Sequence, residues 1–445
     1  MKKTSTLTVR RWLTYILVGF VGQLAWAIEN NYFNVYAFHV TSTYIYIPIM
    51  TIASALAATL TTLFMGALSD RLGKRKIFIS VGYILWGISI ITFAFLDPNS
   101  TVSMVAGSAA AAGAMIVIMD CVMTFFGSTA NDAAFNAFVT DNTNESNRAK
   151  VESILSVLPL IAMIFVIAVA GIFVDGAEKR WDLFFYVFGG VTLLIGVISL
   201  FMIPEDAITP NTKETYLKNV VYGFRPSVVK ANPILYTTLI AFMTFSISVL
   251  VFMPYFILYV QNVLKIQGAD FTTSFILVFA LASIITVALG FFMDRIGKNK
   301  VMTVSIPVSA LAAFAIFLIP ADKGATTKAG FMIFGVLLMT GYLISVAVLG
   351  AKVRDYTPKN EVGLFQGVRM VFVVLLPMVF GPIIGQAICR IGGTPYENEY
   401  GQTVYPPNKW LFLVSAIIIL LAIIPVVLMF RNEKKAQNEK ANSVE

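Results

Sequence analysis

Long apolar runs broken by short polar, mostly basic segments recur along the whole chain. Runs of about 20 residues or more, the length that crosses a hydrocarbon core as helix, occupy roughly 12–38, 44–69, 77–96, 102–138, 153–174 and 183–203. Six more follow at roughly 234–260, 271–293, 301–320, 330–350, 362–389 and 410–430. The pattern predicts an all-α membrane protein with twelve transmembrane helices. The run 102–138 is longer than one crossing, so a broken helix or an extramembrane piece is expected inside it. The first run follows basic residues but is long, aromatic and interrupted by Glu29, Asn30, Asn31 and Asn34, without a small-residue cleavage site. It reads as a span and not as a removable signal peptide.

One polar stretch between spans is long. Residues 205–232 are punctuated by Pro210 and Pro226 and flanked by Pro204 and Pro233, so they read as a linker between an N-terminal six-helix half, 1–204, and a C-terminal six-helix half, 233–445. The halves carry a repeat. Gly66-Ala-Leu-Ser-Asp70-Arg71-Leu-Gly73-Lys74-Arg75-Lys76 returns 224 residues later as Gly290-Phe-Phe-Met-Asp294-Arg295-Ile-Gly297-Lys298-Asn299-Lys300, each copy following the second span of its half. Internal duplication of this kind gives two pseudo-symmetric halves.

Composition agrees with the pattern. Of 445 residues, 58% are hydrophobic and only 13% charged, too little polar surface for a water-soluble globule of this size. The net charge of +8 is not gathered into a nucleic-acid-binding patch. With the N-terminus placed inside, 24 of the 32 basic residues fall on inner segments and 7 on outer ones. The positive-inside bias therefore puts both termini in the cytoplasm of a multi-pass plasma-membrane protein, the excess charge facing anionic lipid. Cys121 and Cys389 lie in or beside apolar runs, suggesting neither disulfide nor metal site, and no cofactor is indicated.

The duplicated G-x-x-x-D-R-x-G-[KR]-x-[KR] turn resembles that of the major facilitator superfamily of secondary transporters, which implies the major facilitator fold, alternating access and commonly a monomer. In that superfamily the turn is a conformational latch. The resemblance assigns the role to Gly66, Asp70, Arg71, Gly73 and Arg75 and to Gly290, Asp294, Arg295, Gly297 and Lys298. Gly66 and Gly290 are expected to allow close helix approach, Gly73 and Gly297 a tight turn, and each Asp and Arg an ion pair with one another or with a neighbouring helix end.

Ionisable groups within a span cost about 2.5–3.5 kcal/mol even on lenient scales, so each is a functional candidate. Glu29 in span 1, Asp120 and Asp132 in span 4 and Arg369 in span 11 stand out. At 100° per residue Gln23, Asn30 and Asn34 fall on one stripe flanked by Trp26. Amides beside an indole suit a sugar, the amides meeting hydroxyls and the ring covering the apolar face of a pyranose; amide networks that merely join helices are the alternative. Glu29 lies off the stripe, either as a proton-carrying carboxylate or as half of a structural ion pair. Arg369, one turn after Gln366, is open to three readings: a carboxylate partner, an anionic substrate such as a uronate, or the inner interface.

The segment Asn131-Asp132-Ala-Ala-Phe135-Asn136-Ala-Phe138-Val139, followed by Asp141 and Arg148, is similar to a segment of the glycoside-pentoside-hexuronide:cation symporters, the melibiose permease family. That resemblance implies that Asp132 accepts hydrogen bonds from sugar hydroxyls, with Asn136 nearby. Where melibiose permease carries its two sodium-site carboxylates, this chain has Ala58 and Thr62. Proton coupling through Glu29, Asp120 or Asp132 is thus favoured over sodium. The expected function is secondary active symport of a sugar or glycoside with a cation, the substrate contacts being Gln23, Trp26, Asn30, Asn34, Asp132, Asn136, Gln366 and Arg369. Efflux of amphipathic compounds, or a non-transporting receptor, are the alternatives. An enzyme is not expected, because no nucleophile, base and orienter set faces water.

Overall fold

Hydrocarbon offers the backbone no hydrogen bonds, so each apolar run closes its own as a helix. The computed structural model describes residues 8–97, 108–143, 148–174, 179–204, 223–358, 362–398 and 401–442. In the N-terminal half the spans are Val9–Thr41, Tyr46–Leu72, Lys76–Thr92, Ala109–Gly127 with its continuation, Arg148–Phe173 and Trp181–Met202. In the C-terminal half they are Pro233–Phe252, Gly268–Ile296, Lys298–Leu318, Ala325–Tyr356, Val362–Met370 running on to Leu376–Gly392, and Trp410–Leu421 with its continuation. Among the described residues eleven helices are long and apolar enough to cross a membrane, and the shorter apolar stretch Val157–Phe173 lies in the fifth span. Together they make the twelve-helix fold. Ile172, Phe201, Leu311 and Ile424 are 72%, 76%, 68% and 60% exposed, which suits hydrocarbon and not water.

Two spans are locally unwound to π-helix. Span 4, expected to be broken, passes from Ala109–Gly127 through a π segment at Ser128–Phe135 into Asn136–Asp141. Span 11 carries a π turn at Val371–Leu375, just ahead of Pro377. Proline has no N–H for the preceding turn and its ring crowds a carbonyl there, so the ladder loosens before it. Span 7 is interrupted at Pro254, where Met253–Tyr255 form a 3-10 turn before Phe256–Asn262.

The chain divides into two compact units, residues 1–214 with 267–272 and 396–404, and residues 215–266, 273–395 and 405–445. In the first unit, spans 3 and 6 approach backbone to backbone through glycine. A Cβ on Gly87 would lie 2.6 Å from the Gly189 oxygen, and one on Gly196 would lie 2.6 Å from the Ile84 nitrogen. Small residues at a contact are how membrane helices gain dispersion energy without a hydrophobic effect between them. Ser199 donates to Ser80 at 2.6 Å across the same seam. The Arg10 guanidinium donates to the Met202 and Phe201 carbonyls at 2.7 and 2.5 Å, capping the C-terminus of the sixth span with a positive charge. Tyr36, fully buried, donates to the Phe93 carbonyl at 2.6 Å and ties spans 1 and 3 within a cluster that includes Phe33, Trp181 and Phe185. A short antiparallel hairpin, Tyr396–Glu397 with Thr403–Val404, also belongs to this unit, and Asn398 donates to the Ser42 carbonyl at 3.3 Å.

In the second unit Gly381 and Gly385 let span 11 lie flush on Leu250, Val251 and Tyr255 of span 7, and the Tyr255 hydroxyl bonds Gln386 at 3.1 Å. The chain after residue 430, which reads in sequence as a charged tail, is largely helical: Ile423–Asn442 continues the last span and buries Glu433. The linker is described only from residue 223, where it forms a short helix, Pro226–Ala231, before span 7.

Gly87→Val would force the spans 3 and 6 apart, because its new atoms meet backbone that cannot rotate away; a loss of about 1–3 kcal/mol is expected. Melting of the detergent-purified protein measures it. Gly190→Val, where a Cβ meets nothing within 4 Å, is expected to leave the melting temperature near that of the parent.

Candidate functional site

The first unit buries two carboxylates on facing helices. Glu29 of span 1 is 7% exposed and Asp120 of span 4 is 1% exposed. The Thr124 hydroxyl, one helical turn beyond Asp120, donates to Glu29 Oε1 at 2.8 Å. Ser54 of span 2, whose hydroxyl donates to the Thr51 carbonyl at 3.3 Å, lies near Asp120. Glu29 Oε2 and Asp120 Oδ1 are buried and have no hydrogen-bond partner among the described residues. Asp120 is the negative charge that acts most strongly on Glu29, ahead of Asp132. None of the three carboxylates is paired with a Lys, Arg or His among the described residues. Spans 1 and 4 thus bury a cluster of carboxyl groups that keeps unbonded oxygens.

Beside it lies the aromatic floor. Trp26 and Trp86 pack with centroids 5.0 Å apart, and a Cβ on Gly127 would lie 2.7 Å from Trp86 and 3.1 Å from Trp26, so the end of the Ala109–Gly127 helix closes directly on both indoles. The indole N–H groups of Trp26 and Trp86 are buried without an acceptor among the described residues. Asn34 is buried; its amide N–H donates to the Asn30 carbonyl at 3.4 Å and its Oδ1 has no partner among the described residues. Such unmatched buried donors and acceptors are uncommon in native proteins.

The amide stripe is only partly gathered. Gln23 and Trp26 are half-buried, Asn30 is exposed and donates to the Trp26 carbonyl at 2.8 Å, and Asn34 is buried. A helix wheel equalises positions that a tapering bundle does not. In the π segment, Asp132 is half-buried and accepts from Ser128 at 3.1 Å; Asn136 is exposed and donates to the Asp132 carbonyl at 3.1 Å. Asn131, next to Asp132 in sequence, faces away into the core and donates to the Tyr83 hydroxyl at 2.7 Å, which itself donates to the Val18 carbonyl at 2.8 Å. Gly22 leaves the room for this pair, since a Cβ there would collide with Asn131 and Tyr83. π-Helical turns are frequent at functional sites because they re-aim side chains relative to an α-helix.

Gly73 and Gly297 adopt φ of +62° and +95°, the left-handed side that the tight turn requires. Gly66 has only an ordinary contact, Ala133 Cβ at 3.8 Å from its hypothetical Cβ, and Gly290 has none within 4 Å, so close helix approach is not their role here. Among the described residues the ion pairs of the turn lie at Arg75 and Lys298. Arg75, buried, donates to Asp141 at 3.1 Å and to Ser69 at 2.5 Å, whereas Arg71 is exposed. In the second copy Lys298 pairs with Asp355 at 2.6 Å. The side chains of Asp70, Asp294 and Arg295 lie outside the described residues, as does that of Gln366. Arg369 is exposed and, in the second unit, lines a small cavity with Arg354.

Sequence reasoning missed a buried network beside the second copy of the turn. Lys352 and Glu433, 4% and 7% exposed, form a salt bridge, and Glu433 also accepts from Tyr356 at 2.7 Å and from Asn299 of the repeat at 2.8 Å. The residues that bring this together are 77 to 134 positions from Glu433, beyond the reach of local pattern. Thr124, a hydroxyl within an apolar run, was likewise invisible as the partner of a carboxylate. Among the described residues no group of three or more His, Cys, Asp or Glu is placed to hold a metal ion.

Apolar helices in two compact units, the first of which buries unmatched polar groups, describe a multi-pass membrane protein. The family model of the Major Facilitator Superfamily matches residues 11–352 and 324–445, and the chain belongs to that superfamily, whose members are transporters and not enzymes. Similar solved structures include the nucleoside transporter NupG, at 13% identity, with 94% of this chain and 98% of that one covered and a TM-score of 0.66. The xylose transporter XylE from E. coli, in a partially occluded inward-open conformation, matches at 14% identity, 95% and 98% coverage and TM-score 0.66. A D-xylose-proton symporter matches at 13% identity, 93% and 97% coverage and TM-score 0.66. These likenesses are of fold. No curated protein matches the sequence significantly.

Removing one partner of a buried ion pair strands the other charge. Lys352→Met is therefore expected to cost about 3–5 kcal/mol, and the double change Lys352→Met with Glu433→Leu to recover most of it. Thermal unfolding of the four proteins in the cycle reads the coupling.

Proposed function

We propose that the protein is a plasma-membrane symporter that takes up a sugar or glycoside together with a proton by alternating access, working as a monomer with both termini in the cytoplasm. The observation that carries this reading is the pair Glu29 and Asp120, buried side by side with no basic partner among the described residues. Two negative charges in a low-dielectric bundle are tolerable only with a positive charge among them, and a proton is the smallest. Loading and releasing that proton changes how well span 1 packs on span 4, which links the cation to the conformation of the half.

The substrate contacts proposed here are Trp26, with its unbonded indole N–H above an aromatic floor, and Gln23, Asn30, Asn34, Asp132 and Asn136. Their chemistry suits hydroxyls: amide and carboxylate oxygens accept, and an indole face covers apolar ring carbons. Thr124 holds Glu29 in place and is a positioning residue. The resemblance of span 4 to the melibiose permease family supports a sugar, as does the likeness of fold to a D-xylose-proton symporter. Ala58 and Thr62, standing where that family has sodium-site carboxylates, support the proton over sodium.

The test is uptake by proteoliposomes of radiolabelled mono- and disaccharides and uronates under imposed proton or sodium gradients. Uphill accumulation that needs the proton gradient is expected. Glu29→Gln and Asp120→Asn are expected to lose accumulation at least tenfold while still exchanging labelled for unlabelled sugar across the membrane, and Asp132→Asn to weaken both. Accumulation that persists after the proton gradient is collapsed would sink proton coupling, and no flux of any sugar through folded protein would sink the sugar.

A further inference from the structure

Trp86 of span 3 is fully buried, and its indole N–H has no acceptor among the described residues. Hydrogen bonding therefore does not account for an indole at this position, whereas packing does. Its ring lies on Trp26 of span 1, centroids 5.0 Å apart and planes at 56°, and its other neighbours hold it still. Tyr83, one turn earlier, meets it edge-on at 5.4 Å and is itself tied by its bonds with Asn131 and the Val18 carbonyl. Gly87, the next residue, abuts the Gly189 oxygen of span 6. On span 4, Gly127 turns bare backbone to the indole pair: a Cβ there would lie 2.7 Å from Trp86, a distance side chains do not adopt, and 3.1 Å from Trp26 Cη2. Gly82 and Ala130 make a second close contact between spans 3 and 4, a Cβ on Gly82 lying 2.6 Å from that of Ala130. Of the three rings Trp26 is the half-buried one, with surface left to offer a ligand. The helices that carry Trp26 and Gly127 also meet at the carboxylates, where Thr124 donates to Glu29 at 2.8 Å. Gly127 lies three residues after Thr124 and Trp26 three before Glu29, a rise of about 4.5 Å along each helix.

We propose that Trp86 and Gly127 are positioning residues that determine specificity: Trp86 sets the tilt of the Trp26 ring, the missing side chain at 127 sets its depth, and together they decide which pyranose face the ring accepts. This rests on the reading of Trp26 as a sugar contact. A sugar lies on an aromatic ring through its C–H groups, and an axial hydroxyl on the same face holds some of them off, so a ring of fixed tilt distinguishes epimers. Fixing the ring beforehand also removes an ordering cost from binding. A side chain at 127 would meet an indole boxed in by Tyr83 and by the seam of spans 3 and 6, so the displacement falls on Trp26.

The test joins sugar flux to fluorine NMR of the full chain with fluorotryptophan at its five Trp positions, the resonances assigned by Trp→Phe variants. One narrow Trp26 resonance is expected in the parent, broadened or split in Trp86→Leu and in Gly127→Ala as the ring takes several tilts. In proteoliposomes supplied with D-xylose, D-glucose or D-galactose, both variants are expected to raise KM about two- to tenfold, the range of one aromatic pair, with the maximal rate held within about twofold. The ratio of KM between D-glucose and its epimer D-galactose is expected to narrow. Trp86→Phe gives back room, so combining it with Gly127→Ala is expected to return KM toward that of Trp86→Phe alone. Trp410→Phe, in the second unit, is expected to match the parent. A narrow Trp26 resonance retained in folded Gly127→Ala and Trp86→Leu overturns the proposal, as does a mobile ring with KM and the epimer ratio unchanged. A Trp26 resonance already broad or multiple in the parent overturns it too, an outcome that needs only the conservative Trp26→Phe for assignment. A parent that carries none of the three sugars removes them from the functional reading, and the fluorine spectra then decide the positioning by themselves.

Discussion

A polar atom carried into hydrocarbon must find its partner inside the protein, and this one constraint orders the structure at every scale. It makes the backbone helical in each span. It sends hydroxyls such as Thr14, Thr51 and Thr192 back to the carbonyl four residues earlier on their own helix, at 2.8 to 2.9 Å, where they cost the bundle little. It also makes every exception informative. Tyr83, Asn131 and Val18 form a closed chain of bonds that fixes span 3 against spans 1 and 4, whereas Glu29, Asp120, Trp26 and Asn34 each keep a buried atom unmatched. A satisfied network holds a shape; an unsatisfied one keeps bonding capacity in reserve.

The two ionic features of the chain follow the same logic in opposite senses. In the first unit negative charge gathers without a described counter-charge, around Glu29 and Asp120. In the second unit Lys352 and Glu433 neutralise each other under cover, with Tyr356 and Asn299 taking up the remaining lone pairs. A buried pair so fully bonded gives little net stability compared with an apolar substitute, but it specifies register, because any slip of the last helix leaves two charges exposed to low dielectric. The first unit leaves its buried carboxylates without a described counter-charge, and the second is held firm near the repeat.

Close contact between helices depends on missing side chains. Gly87, Gly189 and Gly196 bring spans 3 and 6 together so tightly that a serine pair bonds across them, and Gly381 and Gly385 do the same for spans 7 and 11. Such seams leave the remaining spans of each half, notably the first and fourth, to carry the polar groups. The π segment of span 4 belongs to this division of labour: it directs Asn131 inward to Tyr83 while its neighbour Asp132 stays half-buried beside Ser128.

By itself the sequence determined the number of spans, the two halves and the repeat, because the cost of exposing apolar or burying polar residues in a bilayer acts on each short segment independently. It also singled out Glu29, Asp120 and Asp132, since an ionisable residue in a span is expensive wherever it ends up. Only the tertiary structure decided what those residues meet. The helix wheel set Glu29 apart from the amide stripe but held no sign of Thr124, 95 residues away, and it grouped Asn30 with Asn34 although one is exposed and the other buried. Likewise the repeat motif announced a turn, and its glycines take the positive φ it needs, yet nothing local told that Arg75 meets Asp141 and Lys298 meets Asp355. Partner choice in a helical bundle is set by which faces converge across a hundred residues of chain, and local pattern carries no record of that distance.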